Sequence, residues 1–498
     1  MKKLILLMLI VSLVAIPVLS CATNDDGAAQ NGGQPEAPRD LPPGDAADTI
    51  DYEPEIEEGL RFPDLPDVNF GGYQFRIINT GEDFFPQLLK TLVVEEETGE
   101  ALNDAIFRRN RRMEERFGFQ LIQFDVTGPT PARDRARTSI QAGSDDFDLV
   151  MTGPSYALPL AQGGMLEMID RMPHIDLTQP WWDGDMVRDY SFGGRVFFAT
   201  GDFTFNHYSV TFALLFNKEL HYDLGLDCPY ELVREGRWTI DRFAEQGRAA
   251  LRDLNGDGVY DHNDQWGIVT TSLVHAIAKM NGVGARYVVK DADDMPVLNM
   301  NTQGFIDRFH ALYDLLTEGW VYCFNRPNTP TTVHDMFLNG QALFYSELMN
   351  HATRFRAMDA DFGIIPQPKL NEQQEHHISA VGIPHIKGIP VTSPDLERTG
   401  IILEALSAES RLSTLEVYFD TMLVNQVMNR DEESAEMLEI IFANRVYEVG
   451  RHFWSPNMVT PVQHAFRDFN RDIVSVIERH EAAANAAIET TVNAFLLD

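Results

Sequence analysis

The chain alternates segments of strand pattern with segments of helical spacing, and this order limits the folds that it can adopt. Residues 103–117 carry Ile106, Met113 and Phe117 on one helical face, and Gly118 is expected to end that helix. The neighbouring predictions are strand 73–78, strand 119–124, helix 132–142 and strand 148–152, followed by a turn at Gly153 and Pro154. Strand, helix, strand, helix, strand is typical of a parallel sheet with helices on its faces.

The alternation begins again in the middle of the chain. The predicted elements there are strand 212–216, helix 238–251, strand 266–270, helix 303–317, strand 342–345 and strand 362–366. Residues 394–498 are mostly helical in pattern and end in one predicted helix, 465–497. With 498 residues, of which 44% are hydrophobic, the chain is long enough for more than one domain. The sequence therefore predicts an α/β protein of two lobes with a helical C-terminal tail.

The N-terminus has the pattern of a lipoprotein signal peptide. Lys2 and Lys3 precede an almost wholly apolar run, residues 4–19, and Ser20 and Cys21 follow that run. We therefore expect residues 1–20 to be removed, and Cys21 to carry acyl chains such as palmitate on the extracytoplasmic face of the cell membrane. A transmembrane anchor is less favoured, because the run is short for a bilayer and acidic residues follow it.

Residues 21–65 are rich in Gly, Pro, Ala, Asp and Glu and contain few large apolar side chains. Such a composition buries too little surface to offset chain entropy, so we predict a flexible acidic tether. The formal net charge of -35 argues against nucleic-acid binding, which needs Lys and Arg to neutralise phosphates. The charge can equally be a solubility trait of an exported protein.

One loop has the residue spacing of a calcium site. Oxygen-bearing groups occupy loop positions 1, 3, 5, 7, 9 and 12, with Gly258 at the sixth position for the tight turn. The predicted ligands are Asp253, Asn255, Asp257, the backbone carbonyl of Val259, Asp261 and Asp264. The alternative is an ordinary polar turn. A predicted strand at residue 266 follows, so the site would be a helix-loop-strand arrangement. We expect the Ca²⁺ to be structural, because it would occupy every ligand oxygen and leave none to face a substrate.

Signatures of catalysis are largely missing from the sequence. It has no G-x-S-x-G elbow and no phosphate loop, and His480-Glu481 lacks the second histidine of a metalloprotease helix. His376, His377 and His385 could bind a metal, but surface histidines are the simpler interpretation. Acidic pairs such as Asp145-Asp146 could serve glycoside hydrolysis, although carboxylates are too abundant here for a pair to be informative.

Aromatic side chains are more suggestive of a ligand site. They fall mainly in or beside predicted loops, where flat faces could stack on sugar rings and nearby Asn, Asp or Glu could bind hydroxyls. Core packing is the alternative for each of them. The set comprises Trp181, Trp182, Phe203, Phe205, His207, Tyr208, Tyr345, Phe453 and Trp454.

In order along the chain, five segments resemble the extracellular solute-binding proteins of ABC importers, family 1, which includes sugar binders. Residues 103–118 resemble the first helix of that family, and residues 147–151 with 160–170 resemble its next strand and the helix after it. Leu214-Leu-Phe-Asn-Lys resembles its "YNK" strand and is followed by a helix of the "TWDEF" type. Met336-Phe-Leu-Asn-Gly-Gln-Ala-Leu-Phe resembles the family's "F-x-x-G-x-A-A-M" motif, and Asp361-Phe-Gly-Ile-Ile-Pro-Gln-Pro resembles its "G-x-x-P-x-P" motif. The family's "AAM" reads Ala-Leu-Phe here, and the tail is longer.

The resemblance implies a type II periplasmic-binding-protein-like fold whose two lobes close on a solute about a hinge. It places lobe 1 at residues 66–205 plus 378–430 and lobe 2 at residues 206–377 plus 431–498, with crossings near 204–211 and 367–380. By position, it implies ligand contacts at Thr152, Pro154, Tyr156, Asn206, His207, Tyr208, Glu347, Asn350 and Trp454. It also implies ABC permease partners and a monomeric protein.

Three functions remain open on the sequence alone. The leading hypothesis is a lipid-anchored binding protein that captures a solute, expected to be an oligosaccharide, and delivers it to an importer without bond chemistry. The rival is a lipoprotein glycoside hydrolase or lyase that uses paired carboxylates. A sensor subunit that presents the same lobes to a membrane kinase is the third.

Overall fold

The computed structural model describes residues 60–81, 92–270, 274–323, 332–355, 358–424 and 432–497. The predicted signal peptide, Cys21 and the tether up to residue 59 lie outside the described residues. From Arg61 onward the chain forms one compact unit. No helix of the described residues is long and apolar enough to cross a membrane.

The strands and helices are numbered in chain order. The strands are β1 Tyr73–Thr80, β2 Phe119–Val126, β3 Leu149–Thr152, β4 Phe212–Asn217, β5 Trp266–Thr270, β6 Val288–Lys290, β7 Pro296–Leu298, β8 Val321–Cys323, β9 Ala342–Leu348, β10 Phe362–Ile365, β11 Ser379–Ala380, β12 Ile386–Gly388 and β13 Arg445–Val446. The helices are α1 Ala101–Phe117, α2 Pro129–Gln141, α3 Pro154–Gln162, α4 Gly184–Tyr190, α5 Asn206–Ser209, α6 Lys218–Asp223, α7 Pro229–Arg234, α8 Ile240–Ala250, α9 Val274–Gly282, α10 Gln303–Leu316, α11 Val333–Leu338, α12 Leu396–Glu409, α13 Leu415–Tyr418, α14 Glu432–Ala443, α15 Val449–His452, α16 Val459–Arg467 and α17 Ile473–Leu496.

The first sheet confirms the predicted parallel α/β unit. Its strand order is β12-β3-β1-β2. Strand β1 is parallel to β2, with Tyr73 opposite Phe119, and it is parallel to β3 on its other side. Only the edge strand β12, which comes from much later in the chain, is antiparallel to its neighbour. Strand β3 is buried along its whole length, as its run of apolar residues predicts.

The second sheet confirms the second α/β unit. Its strand order is β10-β4-β9-β5-β8. Strand β5 is parallel to both β8 and β9, whereas β4 is antiparallel to β9 and β10. Buried aromatic side chains of β4, β9 and α8 pack between this sheet and its helices, among them Phe216, Phe243 and Phe344. Each sheet with its helices forms one of two lobes.

The end of α1 is set by a single glycine, as predicted. Gly118 has a φ of 64°, in the left-handed region, and its N–H donates to the carbonyl of Glu114. At the other end, the Glu100 side chain accepts a hydrogen bond from the N–H of Asn103. The helix buries Ile106, Met113 and Phe117, as their spacing predicts.

Two local predictions are wrong. Gly153 and Pro154 do not form a simple turn, because Pro154 is the first residue of α3, a position where proline needs no hydrogen-bond partner for its nitrogen. The predicted helix 465–497 is broken between α16 and α17. Phe469 has a φ of 52°, and Asp472 caps α17 by accepting from the N–H of Ser475.

The two connections between the sheets lie side by side. The first leads into β4 and the second leads from β10 toward β12, and they meet in an antiparallel bridge between Thr211 and Val381. The N–H of Gly382 also donates to the carbonyl of Val210, and the N–H of Met349 donates to that of Thr211. Adjacent connecting segments of this kind are suited to act as a hinge. The lobe boundaries at residues 205, 377 and 430 stay predictions.

Candidate functional site

A cavity of about 330 Å³ lies beside this junction. Its wall is built from the start of α3, from the chain between β11 and β12, and from α15 with the loop and helix that follow. The lining residues are Pro154, Ser155, Ile383, Arg451, His452, Phe453, Ser455, Pro456, Val459 and Gln463. The volume lies in the range of small-molecule sites, at roughly the lower limit of 300 Å³.

The α3 side of the cavity follows from the position of that helix at the carboxyl end of β3. Ligands of open α/β sheets bind in the crevice outside the carboxyl ends of the strands. Thr152, the last residue of β3, is fully buried, and its Oγ1 lies 3.2 Å from Oγ1 of Thr80 on β1. A Cβ on Gly153 would lie 3.1 Å from the Ile383 side chain, so glycine allows the two walls to approach.

Arg451 brings a positive charge to the cavity, and its described contacts include no carboxylate at ion-pair distance. Its Nη1 atom is buried and has no hydrogen-bond partner. The guanidinium lies over the Phe212 ring, with Cζ 5.1 Å from the ring centroid. Burial lowers the pKa of Arg451 to about 10, so the side chain is still charged at neutral pH.

His452 supports the wall as a neutral side chain. Its Nδ1 lies 2.6 Å from the Tyr190 hydroxyl oxygen, and its Nε2 is hydrogen-bonded to the carbonyl of Gly382. Burial lowers the pKa of His452 to about 3. The ring is therefore neutral at physiological pH and ties α15 to the junction between the sheets.

Of the predicted ligand contacts, Pro154 lines the cavity and Tyr156 lies next to it, half-buried, near Gly153. Trp454 faces the other way. It is 3% exposed, its ring is stacked on Phe192, and its Nε1 donates to Oγ1 of Thr491 at 3.0 Å. Its neighbours in the sequence, Phe453 and Ser455, line the cavity.

Asn206, His207 and Tyr208 lie on α5, beneath the junction, and all three are buried. The Asn206 Oδ1 accepts from the N–H of His385 at 2.6 Å. The Tyr208 hydroxyl donates to Asp202 at 3.1 Å. Burial lowers the pKa of His207 to about 3, so this ring is neutral. These side chains hold the hinge segment in place and do not line the cavity.

A buried ionic network surrounds α5. Arg445 Nη2 lies 2.7 Å from Oδ2 of Asp183, and the Tyr447 hydroxyl donates to the same oxygen at 2.7 Å. Burial raises the pKa of Asp183, but the charge of Arg445 and these hydrogen bonds outweigh it, and the pKa lies below the usual value. Arg411 lies 3.3 Å from Asp202 in the same network. Charges are paired here, as buried charges generally are.

Glu347 and Asn350 lie at the end of β9 and in the 3-10 helix that follows it, and both are buried. Glu347 Oε1 accepts from the N–H of Leu348 at 3.1 Å, and Oε2 lies 3.5 Å from Nδ1 of His351. Neither residue lines the cavity, although the charge of Glu347 acts on Arg451 by raising its pKa. The structure thus gathers the predicted contacts around one junction but exposes few of them to the cavity.

Most of the suggested stacking aromatics are core residues. Trp181 and Trp182 donate their indole N–H groups to the two carboxylate oxygens of Glu404, at 3.0 and 2.8 Å. The Tyr345 hydroxyl is 2.6 Å from Nδ1 of His334. Only Phe453 of this set lines the cavity among the described residues. Tertiary packing buries the other rings, which favours core packing, the alternative given for each of them. Sugar stacking by the set stays a prediction.

The predicted calcium loop folds around its own backbone. Asp253 accepts from the N–H groups of Gly256 and Gly258, at 2.7 and 2.9 Å. Asp264, which is fully buried, accepts from the N–H groups of Leu254 and Asp261. Asn255, Asp257 and Val259 are exposed and Asp261 is half-buried. Among the described residues, no three His, Cys, Asp or Glu side chains are grouped closely enough to hold a metal. Calcium binding stays a prediction.

The other candidates for chemistry lie apart from the cavity. Asp145 and Asp146 are exposed, and Asp146 accepts from the Ser139 hydroxyl. His376 is exposed, whereas His377 is buried with its Nδ1 2.9 Å from the carbonyl oxygen of Gln367. Their positions bring together no catalytic pair of carboxylates.

No protein-family model matches the sequence, and a sequence search of the curated proteins finds no match. Solved structures do match. UspC of Mycobacterium tuberculosis is 14% identical with a TM-score of 0.55, and the match covers 83% of this chain and 100% of that one. UgpB of the same organism, in complex with glycerophosphocholine, is also 14% identical with a TM-score of 0.55, covering 85% and 99%. A cyclo/maltodextrin-binding protein with maltotetraose is 14% identical with a TM-score of 0.51, covering 85% and 96%.

The chain has the bilobed fold of ABC substrate-binding proteins. At these identities the likeness concerns the fold alone. The expected fold class, α/β with two lobes, a hinge and a helical C-terminal tail, is confirmed.

Sequence reasoning missed the side chains that give the cavity its polarity, Arg451, Ser155, Ser455 and Gln463. The aromatic pair Phe453-Trp454 lies in the same segment as Arg451 and Ser455, so it was the one sequence signal near these residues. Nothing in the local pattern indicates that Arg451 lacks a partner, because its neighbours in space come from distant parts of the chain.

Proposed function

We propose that this protein is an extracytoplasmic solute-binding protein of the family 1 type, which captures a carbohydrate and delivers it to an ABC importer. The observation that carries the proposal is the cavity beside the paired connections between the two sheets. A site at a hinge couples ligand binding to closure of the lobes. Two of the similar structures hold small ligands, maltotetraose and glycerophosphocholine, which supports a small solute.

The solute is released unaltered in this proposal. The lining offers an arginine, two serines and a glutamine as hydrogen-bonding groups, with Phe453 and prolines as apolar surface. Of the described lining residues none is a carboxylate, and glycoside hydrolysis needs two flanking the scissile bond. This favours a binding protein over the glycoside hydrolase or lyase.

A binding assay with recovery of the ligand tests the function. Saturable binding of a glycan by calorimetry, followed by its recovery unchanged in mass, is the expected result. Ser155→Trp, which fills the exposed mouth of the cavity, should abolish binding, whereas Ser475→Trp, on an exposed position of α17, should not. Turnover of the glycan, or equal binding by the Ser155→Trp variant, would contradict the proposal.

The membrane anchor and the partners are part of the same proposal. Residues 1–20 would be removed, Cys21 would carry the lipid, and residues 21–65 would tether a monomer to the extracytoplasmic face, where an ABC permease receives the solute. Labelled palmitate should enter the full chain and not the Cys21→Ser variant, which should be released from the membrane. A sensor role would require a membrane kinase as the co-purifying partner.

Calcium would stabilise the loop of residues 253–264 in this protein. An ion that binds only the folded state raises the melting temperature. We expect a chelator to lower the Tm, and expect Asp253→Asn to be insensitive to it. Asp468→Asn, at an exposed aspartate outside the loop, is the control. An unchanged Tm in the unmodified protein would count against calcium.

A further inference from the structure

The cavity is unusual in its charge for a chain this acidic. The sequence has 75 Asp and Glu residues against 40 Lys and Arg. Yet none of the described residues that line the cavity is acidic, and one of them is Arg451. His452, the other basic residue of the wall, is neutral because of its lowered pKa. The lining therefore carries a net positive charge.

Glu347 and Glu448 are the acidic side chains whose charges act on Arg451, and each is hydrogen-bonded to other groups. Glu448 Oε2 accepts from Arg286 Nε at 3.1 Å and from Asn281 Nδ2 at 3.2 Å. Glu347 contacts His351 and its own neighbouring N–H. Neither carboxylate forms an ion pair with Arg451, whose Nη1 is buried without a partner. A buried donor of this kind costs free energy until it is paired.

One helix N-terminus adds to the positive potential of the cavity. Helix α3 begins at Pro154, and its N-cap, Gly153, provides no side-chain hydrogen bond. The N-terminus of α16 is already paired, because the N–H groups of Val459 and Thr460 donate to the carbonyl of Ser455. Helix α3 has no acidic residue in its first turn. The first turn of a helix carries a partial positive charge that favours anions. The Ser155 hydroxyl is a further hydrogen-bond donor at the α3 terminus.

We propose that this cavity binds an anionic group of the solute, a carboxylate or a phosphate, with the Arg451 guanidinium as its counter-charge. The inference rests on the proposed function and specifies its substrate class as an acidic sugar or sugar phosphate in preference to a neutral oligosaccharide. A guanidinium can pair with either group through two parallel hydrogen bonds, and such pairs are stronger than bonds between neutral groups.

Matched ligands test this on the unmodified full-length protein. Calorimetry would compare glucose, glucuronate and glucose 1-phosphate, and maltotriose with trigalacturonate, with inorganic phosphate as the anion alone. The anionic member of each pair should bind roughly tenfold more tightly or better, and added salt should reduce the difference. Preference for glucuronate over glucose 1-phosphate, or the reverse, would identify the carboxylate or the phosphate as the group.

Variants of Arg451, with a control at Arg467, test whether the preference for anionic ligands arises in the cavity. Arg451→Gln should remove it, Arg451→Lys should keep part of it, and Arg467→Gln, at the exposed end of α16, should leave it unchanged. Arg467→Gln removes the same formal charge, so it controls for the net charge of the protein.

The outcomes separate this inference from the proposed function. Saturable binding of neutral and anionic sugars with equal affinity would overturn the anion site and leave the carbohydrate-binding function standing. Tight binding of inorganic phosphate, lost in Arg451→Gln, without binding of any sugar would support the anion site and overturn the carbohydrate. No binding of any probe would overturn both. Because the ligand comparison needs no variant, it stands even where Arg451→Gln fails to fold.

Discussion

Arg445 and Arg451 lie in the same C-terminal segment and differ in how their charges are compensated. Arg445 is 2.7 Å from Asp183 and lies over the Tyr208 ring, inside a network that is closed to solvent. Arg451 lies over Phe212 at the edge of a cavity, and its described contacts include no carboxylate at ion-pair distance. The Nη1 atom of each arginine lacks a hydrogen-bond partner, so the ion pair with Asp183 is what distinguishes Arg445 from Arg451.

Glu404 shows a third way in which a buried charge is accommodated. It is 1% exposed and accepts two indole N–H groups, but the described contacts include no cation. Burial raises its pKa to about 7, although the indole hydrogen bonds oppose the rise. A carboxyl group can therefore reduce the cost of burial by taking a proton. Arginine cannot release its proton at neutral pH, so Arg451 keeps its charge, and the charges of Glu347 and Glu448 act on it without forming an ion pair.

The largest loss of stability should come from breaking the buried ion pair between Asp183 and Arg445. Asp183→Asn leaves Arg445 as an uncompensated buried charge, and we expect the unfolding free energy to fall by about 3–5 kcal/mol. Urea unfolding at neutral pH measures it. Asp468→Asn removes an exposed partner of Arg467 and should leave the unfolding free energy nearly unchanged, because surface ion pairs contribute little. Equal losses in the two variants would mean that the network contributes no more than a surface ion pair.

The next largest effect is a pH dependence of the unfolding free energy that arises from Glu404. The pKa of Glu404 is higher in the folded protein than its ordinary value of 4.5, so the folded state binds more protons between about pH 4.5 and pH 7. Its contribution to stability is therefore fully present below pH 4.5 and declines as pH rises to about 7. Glu404→Gln should remove this decline. The difference in unfolding free energy between the unmodified protein and the variant should therefore change by about 1–3 kcal/mol over that pH range.

Urea unfolding of both proteins at about pH 5 and about pH 7.5 measures this pH dependence. Glu245→Gln, on the exposed face of α8, is the control and should follow the unmodified protein. Parallel curves for Glu404→Gln and the unmodified protein would show that Glu404 does not carry this pH dependence.

Local pattern was enough to predict much of the fold and little of the site. The spacing of apolar residues and the position of Gly118 predict β1, α1 and β2, because each of these elements depends on neighbours within a few residues. The start of α3 was missed because Gly153-Pro154 matches a turn pattern. Only the helical residues that follow identify Pro154 as the first residue of a helix. The pairing of Asp183 with Arg445, and the burial of Trp454 against Thr491, depend on contacts between distant segments. Such contacts decide which side of a loop faces the cavity.

The smallest stability effect should be at Arg451, and it decides whether the contrast with Arg445 is real. Arg451→Gln removes a charge that forms no ion pair in the described contacts and keeps part of the stem over Phe212, so the unfolding free energy should change by no more than about 1 kcal/mol in either direction. An anionic ligand at about 100 times its Kd should stabilise the unmodified protein by about 2.7 kcal/mol and the variant by far less. Urea unfolding with and without glucuronate or glucose 1-phosphate measures both values. If Arg451→Gln without ligand loses as much stability as Asp183→Asn, then Arg451 is a structural residue like Arg445, and the cavity has no charge to offer a solute.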